Sequence, residues 1–336
     1  MMLAAALVAS GCGDAPAPAD PGGRPFVVAV LQRSDVMDPI ELVSSSALAV
    51  DLVLREAEAE GEVAAGSGIA VVETAAEDAG VAQAAALAGD PAVVAAVVTP
   101  FVDAPGAVAT FLDAGVPVLS FSGLGEDPGA EAWRRLVPTV SEEASALRTL
   151  AGRAPCEVAP AADGAPAAPP AGGECSGVVW TGDADGALAL RTSLDGSGID
   201  VPLVVTAAAY VQRLVQEGYP SIVGTYAAVP CAGIDTSAAP EAQRFVHAYQ
   251  AAHGVPPGLC AAEAYGLGRW LIRLAGGAPS RGVVFPAVAN LDRLTTPAGV
   301  LSFGEAGEQV TPGVRIEQAI GVRWLPLGDI AAAPQR

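Results

Sequence analysis

Hydroxyl, amide and carboxyl side chains follow several short apolar runs that have the length and composition of buried β-strands. The residues of this kind at strand exits are Gln32, Asp103, Ser120, Ser122 and Thr206. In a parallel sheet, ligands bind beyond the carboxyl ends of the strands, so these side chains are the candidate ligand-binding residues. Their chemistry is hydrogen bonding, which suits a small polar molecule.

Residues that could carry out catalysis are sparse. The chain has two histidines, His247 and His253, and neither has a cysteine or glutamate at metal-site spacing. No nucleophile elbow, phosphate-binding loop or dinucleotide fingerprint occurs. An acidic turn at 183–186 resembles the start of a calcium loop, but Thr192 stands where the bidentate glutamate should be. The sequence therefore favours binding over catalysis and predicts neither a metal nor a cofactor.

One stretch predicts a strand–helix–strand unit that would position these side chains. Val93–Val98 is apolar and β-branched, and Pro100 prevents it from continuing as a central strand. Residues 104–114 have a helical apolar face, and Gly115 is a helix stop. Residues 116–119 form the next strand, which makes a right-handed βαβ unit.

The same alternation of strands and helices extends along the chain and predicts an α/β fold with doubly wound parallel sheets. Further strands are expected at 26–31, 69–72, 178–180, 202–206 and 222–229, and helices at 40–54, 80–88, 187–194, 207–216, 240–253 and from 261 onward. Asp38 is the expected N-cap of the first helix. Ser141 is the expected N-cap of the helix that begins directly after residue 141. Between Cys156 and Cys175 the chain is rich in Pro, Ala and Gly, so an irregular loop is expected there.

The composition indicates a folded, acidic protein of one or two domains. Among 336 residues, 37 are acidic and 17 are basic, for a net charge of −20, and every basic residue is arginine. Such a surface repels nucleic acid and anionic lipid headgroups, so neither is an expected partner. A hydrophobic fraction of 51% argues against disorder.

The N-terminal residues are typical of an exported lipoprotein. Residues 1–12 are a short apolar segment that ends in Ala-Ser-Gly-Cys12 and resembles a bacterial lipobox, whose cysteine carries the lipid. Residues 13–24 read as a flexible Pro/Ala/Gly tether. The expected basic residues before the apolar segment are missing, which a start codon further upstream would explain. We expect an extracytoplasmic protein that is lipid-anchored to the cell membrane through Cys12.

Several segments resemble the type I periplasmic solute-binding proteins, in particular the leucine/isoleucine/valine-binding branch of ABC transporter substrate-binding lipoproteins. They are DPAVVAAVVTPFVDA, FLDAGVPVLSFSG, VGTYAAVPC and the Thr-Pro-Ala-Gly turn before Phe-Gly-Glu-Ala-Gly. The resemblance implies two α/β lobes with a ligand cleft between them, the second lobe trimmed near Cys156. By this division, residues 25–141 and 261–305 form the N-terminal lobe, and residues 142–260 and 306–330 the C-terminal lobe.

The resemblance also implies which residues would hold an amino acid, and this chain departs from the family at those positions. The family's first serine corresponds to Asp103, the following hydroxyl to Leu124, and the acidic residue of the second lobe to Val223. Asp183 corresponds to a further second-lobe contact. We therefore expect weak binding of leucine, isoleucine and valine, and a cationic or hydroxyl-rich solute instead.

The cysteines indicate disulfide bonds in an oxidising compartment. Of the five cysteines, four remain once Cys12 is lipidated, and these allow three connectivities. Local pairing, Cys156–Cys175 and Cys231–Cys260, requires the least distortion and is the favoured arrangement.

Three functions are compatible with these features. The first is a monomeric solute-binding protein that closes around a small polar molecule and delivers it to ABC permease subunits. The second is a ligand sensor or scaffold that kept the fold without transport. The third, an extracellular hydrolase, lacks a recognisable nucleophile and base. Neighbouring permease genes would favour the first, and activity in an ester and glycoside screen the third.

Overall fold

The computed structural model describes residues 25–33, 45–152, 155–160, 175–231, 234, 239–275, 280–304, 307, 309 and 314–329. The predictions for the apolar segment 1–12, the lipidated Cys12 and the tether 13–24 lie outside these residues. The same holds for the helix cap at Asp38 and for most of the loop between Cys156 and Cys175.

Strands and helices alternate along most of the described chain. The strands are β1 (Val27–Gln32), β2 (Gly68–Glu73), β3 (Val93–Val98), β4 (Val118–Ser120), β5 (Trp133–Arg135), β6 (Cys156–Val158), β7 (Val178–Trp180), β8 (Leu203–Val205), β9 (Tyr226–Val229), β10 (Arg293–Thr296), β11 (Gly299–Ser302), β12 (Arg315–Ile320) and β13 (Arg323–Asp329). The helices are α1 (Ser45–Ala59), α2 (Glu77–Ala88), α3 (Pro105–Asp113), α4 (Val140–Leu147), α5 (Ala184–Gly196), α6 (Gln212–Glu217), α7 (Pro240–His253), α8 (Ala261–Ala275) and α9 (Arg281–Ala289).

The first sheet is parallel and is built around β3. Its strand order is β2-β1-β3-β4-β5, and each neighbouring pair is parallel. All residues of β3 are buried, because helices cover both faces of the sheet. The predicted unit of β3, α3 and β4 is confirmed, and Gly115 ends α3 with a positive φ of 71°.

The second sheet has the order β13-β12-β9-β8-β7-β6. Strands β6 to β9 are parallel, whereas β12 pairs antiparallel with both β9 and β13. The predicted α/β architecture is present, and the antiparallel edge formed by β12 and β13 is an addition that the sequence analysis did not predict. Residues 207–216, predicted as one helix, form a 3₁₀ turn at Ala207–Ala209 and then α6.

Cys156–Val158 forms strand β6, where the sequence analysis predicted only an irregular loop. Three residues are too few to show the alternating polar and apolar pattern of a strand. In the structure, however, β6 pairs in parallel register with β7. A disulfide bond joins Cys156 to Cys175, with their Cα atoms 5.5 Å apart. The second disulfide bond joins Cys231 to Cys260, with Cα atoms 5.2 Å apart. Both bridges follow the local pairing favoured from the sequence.

Helices α1, α7 and α8 pack together on the first sheet. Phe245 and Tyr249 of α7 lie in the same apolar cluster as Val50 of α1 and Leu267 of α8. The Tyr249 hydroxyl also donates to Ser45 Oγ at 3.3 Å. The division of the chain into lobes stays a prediction, and these contacts favour moving α7 from the second lobe to the first. No helix within the described ranges is long and apolar enough to cross a membrane.

Helix α4 begins where the chain passes from the first sheet to the second, and its cap differs from the prediction. Thr139, not Ser141, is the N-cap residue. Thr139 Oγ1 accepts from Glu142 N at 3.1 Å, and Glu142 Oε2 accepts from Thr139 N at 2.7 Å. This reciprocal pair is a capping box, and it places Ser141 inside the first turn.

We expect Thr139→Ala to lower the free energy of unfolding by about 1 kcal/mol, because it removes the cap from the first turn of α4. Urea unfolding monitored by circular dichroism measures the change. Ser141→Ala is the matched control, and we expect it to change the free energy by less than about 0.5 kcal/mol. Equal losses in the two variants would contradict the assigned cap.

Candidate functional site

A cleft of about 550 Å³ lies where the exits of β4 and β5 meet residues that follow β7. Its lining residues are Gly123, Leu124, Gly125, Glu126, Asp127, Arg135, Val137, Thr139, Val140, Ser141, Glu142, Thr181 and Gln309. Strand β4 belongs to the first sheet and β7 to the second, so the two sheets contribute to one cleft at the carboxyl ends of their strands. This is the position at which parallel α/β sheets bind ligands.

The wall formed by the first sheet depends on a close backbone approach at Gly123. A Cβ atom at Gly123 would lie 2.6 Å from the carbonyl oxygen of Pro138, so any other residue would push the two segments apart. Val140 N donates to Gly123 O at 3.2 Å and closes the contact. The exit of β4 is therefore packed directly on the start of α4.

A second cleft of about 490 Å³ adjoins the first and shares Leu124, Gly125, Glu126 and Asp127 with it. Most of its remaining wall is apolar and comes from β3, α3 and Trp133. Its polar residues include Asp103 and Ser120, two of the sequence-predicted binding residues. An apolar wall with a few polar groups is typical of small-molecule sites.

Asp103, Ser120 and Ser122 lie close together at the exits of β3 and β4. Asp103 is exposed, and its Oδ1 would lie 3.0 Å from a Cβ atom placed on Gly125. Ser120 and Ser122 are buried and stabilise the loop itself, since Ser120 Oγ accepts from Ser122 N at 3.1 Å. Ser122 Oγ accepts from Leu124 N at 3.2 Å. Their role in binding a solute stays a prediction.

Gln32, Asp183 and Thr206 do not line either cleft. Gln32 Nε2 donates to Glu73 Oε1 at 3.0 Å, within the first sheet. Asp183 caps α5 and accepts from Gly186 N at 2.9 Å, so the acidic turn is a helix start. Thr206 is fully buried, and its Oγ1 has no hydrogen-bond partner among the described residues. No group of three or more possible metal ligands occurs in the part of the chain that the structure describes.

Leu124 and Val223, two of the three family positions that argued against an amino acid, have different surroundings. Leu124 lines both clefts, so its lack of a hydroxyl bears on binding. Val223 is 47% exposed in the turn before β9 and lines neither cleft. The expected weak binding of leucine, isoleucine and valine stays a prediction, and Asp103 and Leu124 are the residues that support it.

Phe101 adopts a left-handed backbone conformation in the loop between β3 and α3. Its φ is 64°, in a region that residues with a Cβ atom rarely occupy. Strain of this kind is held in place by surrounding packing and is common at binding sites. The loop carries Asp103 into the adjoining cleft.

Arg135 is a buried cation that lines the first cleft, the one with walls from both sheets. The sequence analysis did not consider this residue. It is 5% exposed at the end of β5, and its Nη2 donates to Gly125 O at 3.1 Å. The guanidinium carbon lies 5.9 Å from the ring centroid of Trp133. Burial lowers the pKa of Arg135, and the charges of Asp127 and Glu142 partly offset this effect.

Comparisons with known proteins support the fold. No family model and no curated protein matches the chain. Among solved structures, a leucine-bound ABC transporter substrate-binding protein from Desulfitobacterium hafniense has 17% identity and a TM-score of 0.68 over 90% of this chain and all of that one. LivJ from Streptococcus pneumoniae, bound to isoleucine, has the same identity and TM-score, and the match covers 90% of this chain and 98% of LivJ.

A third similar structure is a solute-binding protein from R. palustris in complex with benzoate. It has 14% identity and a TM-score of 0.63, and the match covers 91% of this chain and 96% of that one. At such low identity these matches show the fold, which is that of the type I periplasmic binding proteins. The fold expected from the sequence resemblance is thereby confirmed.

Glu143, in the first turn of α4, is a second functional candidate, and its burial was not anticipated from the sequence. It is fully buried, and its Oε2 accepts from Ala207 N at 2.8 Å, which ties α4 to the exit of β8. Its Oε1 has no hydrogen-bond partner among the described residues. Burial raises the pKa of Glu143 to about 8, against the opposing hydrogen bond from Ala207.

This raised pKa predicts that stability falls as the pH rises. Because the folded carboxyl keeps its proton up to about pH 8, while the unfolded one loses it near 4.5, the free energy of unfolding should fall across that window, by at most about 1.4 kcal/mol per pH unit. Glu143→Gln keeps an acceptor for Ala207 and does not titrate. In urea unfolding, the free energy of unfolding of the variant should therefore increase relative to that of the wild type from pH 5 to pH 8.

Glu131→Gln, at an exposed glutamate, is the matched control and should follow the wild type at each pH. A stability difference between Glu143→Gln and wild type that stays constant from pH 5 to pH 9 would contradict the assignment.

Proposed function

We propose that this chain is an extracytoplasmic solute-binding protein of an ABC importer, and that its two sheets close around a small polar molecule. The cleft that both sheets line at the carboxyl ends of their strands is the observation that carries this proposal. Thr181 follows β7 of the second sheet, whereas Leu124 and Arg135 come from the first. A ligand in this cleft would contact both sheets at once and stabilise their approach.

The connection between the sheets suits a hinge. Residues 136–139 lead from β5 to α4, and Leu136 N donates to Ser120 O at 2.7 Å. The segment is therefore anchored on the first sheet at its start and capped onto α4 at its end. A rotation about this segment would change the distance between Thr181 and Leu124 while leaving each sheet intact.

The solved structures of the same fold support binding of a small solute. The ligands named for three of them are leucine, isoleucine and benzoate. Each is small enough for a cleft of about 550 Å³. No observation on the described residues favours a sensor or scaffold that lost transport, and none of them favours an enzyme.

We expect a small polar solute to raise the melting temperature of purified protein that was first unfolded and refolded to release bound material. At 100 times its dissociation constant a ligand adds about 2.7 kcal/mol to stability, which corresponds to a shift of a few degrees. Amino acids, small carboxylic acids, polyamines and monosaccharides form the thermal-shift panel. Small-angle X-ray scattering should show a smaller radius of gyration with the solute that binds.

Thr181→Trp places an indole in the cleft and should abolish the thermal shift. Thr192→Trp, on an exposed position of α5, is the matched control and should keep it. If no solute in the panel shifts the wild type, or if Thr181→Trp binds normally, this cleft is not the binding site.

The lipid anchor is part of the same proposal. We expect Cys12→Ala, expressed in a bacterial host from the native start codon, to move the protein from the membrane fraction to the soluble extracytoplasmic fraction. The reason is that a lipidated cysteine would be the attachment to the bilayer. Immunoblotting of fractionated cells measures this, with Ser10→Ala as the control for altered processing. Unchanged membrane association of Cys12→Ala would contradict the anchor.

A further inference from the structure

Arg135 combines burial with an incomplete set of partners. The guanidinium group has five N–H donors, and one of them is engaged, by Gly125 O at 3.1 Å. No ion pair joins it to a carboxylate among the residues that the structure describes. A largely buried charge that no described carboxylate contacts directly leaves the site incomplete, and an anion would complete it.

The neighbouring Arg134 shows how a structural arginine is satisfied in the same strand. Its guanidinium donates to the carbonyl oxygens of Glu131, Trp133, Ala289 and Leu291. These bonds tie β5 to the end of α9. Arg135 has no comparable set of acceptors, although it is buried to the same degree.

The carboxylates around the cleft offset the charge of Arg135 only in part, and none of those described forms an ion pair with it. Glu142 Oε2 is engaged in the capping box by Thr139 N and Thr139 Oγ1. Asp127 is exposed, and its Oδ1 accepts from Gly129 N at 2.8 Å. Both carboxylates are exposed and screened by water, and the donors of Arg135 that no described residue engages open to the cleft, where an anion can reach them.

The guanidinium carbon of Arg135 lies over the Trp133 ring, 5.9 Å from its centroid. A cation–π contact with one face of the guanidinium plane leaves the edge donors available. A carboxylate can accept two parallel N–H bonds from such an edge, which is the strongest arrangement for this pair.

We propose that the solute carries a carboxylate and that Arg135 binds this carboxylate in the cleft between the two sheets. This inference rests on the proposed function and deepens it. It replaces the cationic or hydroxyl-rich solute expected from Asp103 and Asp183. It also makes Arg135 the residue that sets specificity for acids over their neutral analogues.

Matched acids and amides test the inference on the wild type. The pairs are leucine and leucinamide, benzoate and benzamide, and butyrate and butyramide, measured by isothermal titration calorimetry on refolded protein. At least one acid should bind, at least tenfold more tightly than its amide. If only amides, polyamines or monosaccharides bind, the protein is a solute-binding protein and this inference is wrong. If nothing binds, the proposed function fails and the inference falls with it.

Arg135→Gln should remove the preference, bringing the acid and its amide to within threefold of each other. Arg135→Lys keeps the charge without the bidentate edge and should retain part of the preference. Arg148→Gln is the matched control, because Arg148 is an exposed arginine paired with Glu157, and it should bind as the wild type does.

The ratio of acid to amide affinity distinguishes binding from a structural role, because lost stability lowers both affinities alike. An unchanged ratio in a folded Arg135→Gln variant would overturn the inference. If Arg135→Gln does not fold, Arg135→Lys decides: a ratio equal to that of the wild type would overturn the inference, and a reduced ratio would support it.

Discussion

The parallel pairing of β3 with β1 and β4 is the constraint from which the rest of the molecule follows. Parallel strands cannot be joined by tight turns, so helices must cross between them and cover both faces of the sheet. All strands of the first sheet then end at one edge, and the polar loops at 99–103 and 120–123 must lie there together. The second sheet repeats this arrangement in β6 to β9, which is why one cleft can have walls from both sheets.

At this edge the backbone segments pack closely, whereas some polar side chains lack hydrogen-bond partners. Gly123 allows two backbone segments to touch, and Ser120 and Ser122 satisfy the loop between them. In contrast, Glu143 has a buried acceptor that nothing in the described chain engages, and the Arg135 side chain makes one hydrogen bond, to Gly125 O. Polar groups left in this state lower stability, and proteins commonly retain such a cost where they bind or switch.

The repeating elements could be predicted from the sequence because burial on both faces leaves a clear apolar pattern. The run at 93–98 and the helix stop at Gly115 are examples. Strand β6 could not be predicted, since three residues carry no period and its pairing with β7 is a tertiary property. By residue type alone, Ser141 is at least as good a cap as Thr139. The Thr-x-x-Glu spacing at 139–142 was the signal that separates them. The burial of Arg135 and Glu143 depends on contacts between distant segments.

The Cys156–Cys175 disulfide bond has a consequence for engineering. One cysteine is the first residue of β6, and the other stands three residues before β7, so the bond holds the ends of the intervening segment together. The pairing of β6 with β7 is then largely independent of how long that segment is, because the bond has already closed the loop. A fluorescent domain inserted between these cysteines should therefore leave the sheet in register, which makes this position a natural attachment point for an optical solute reporter.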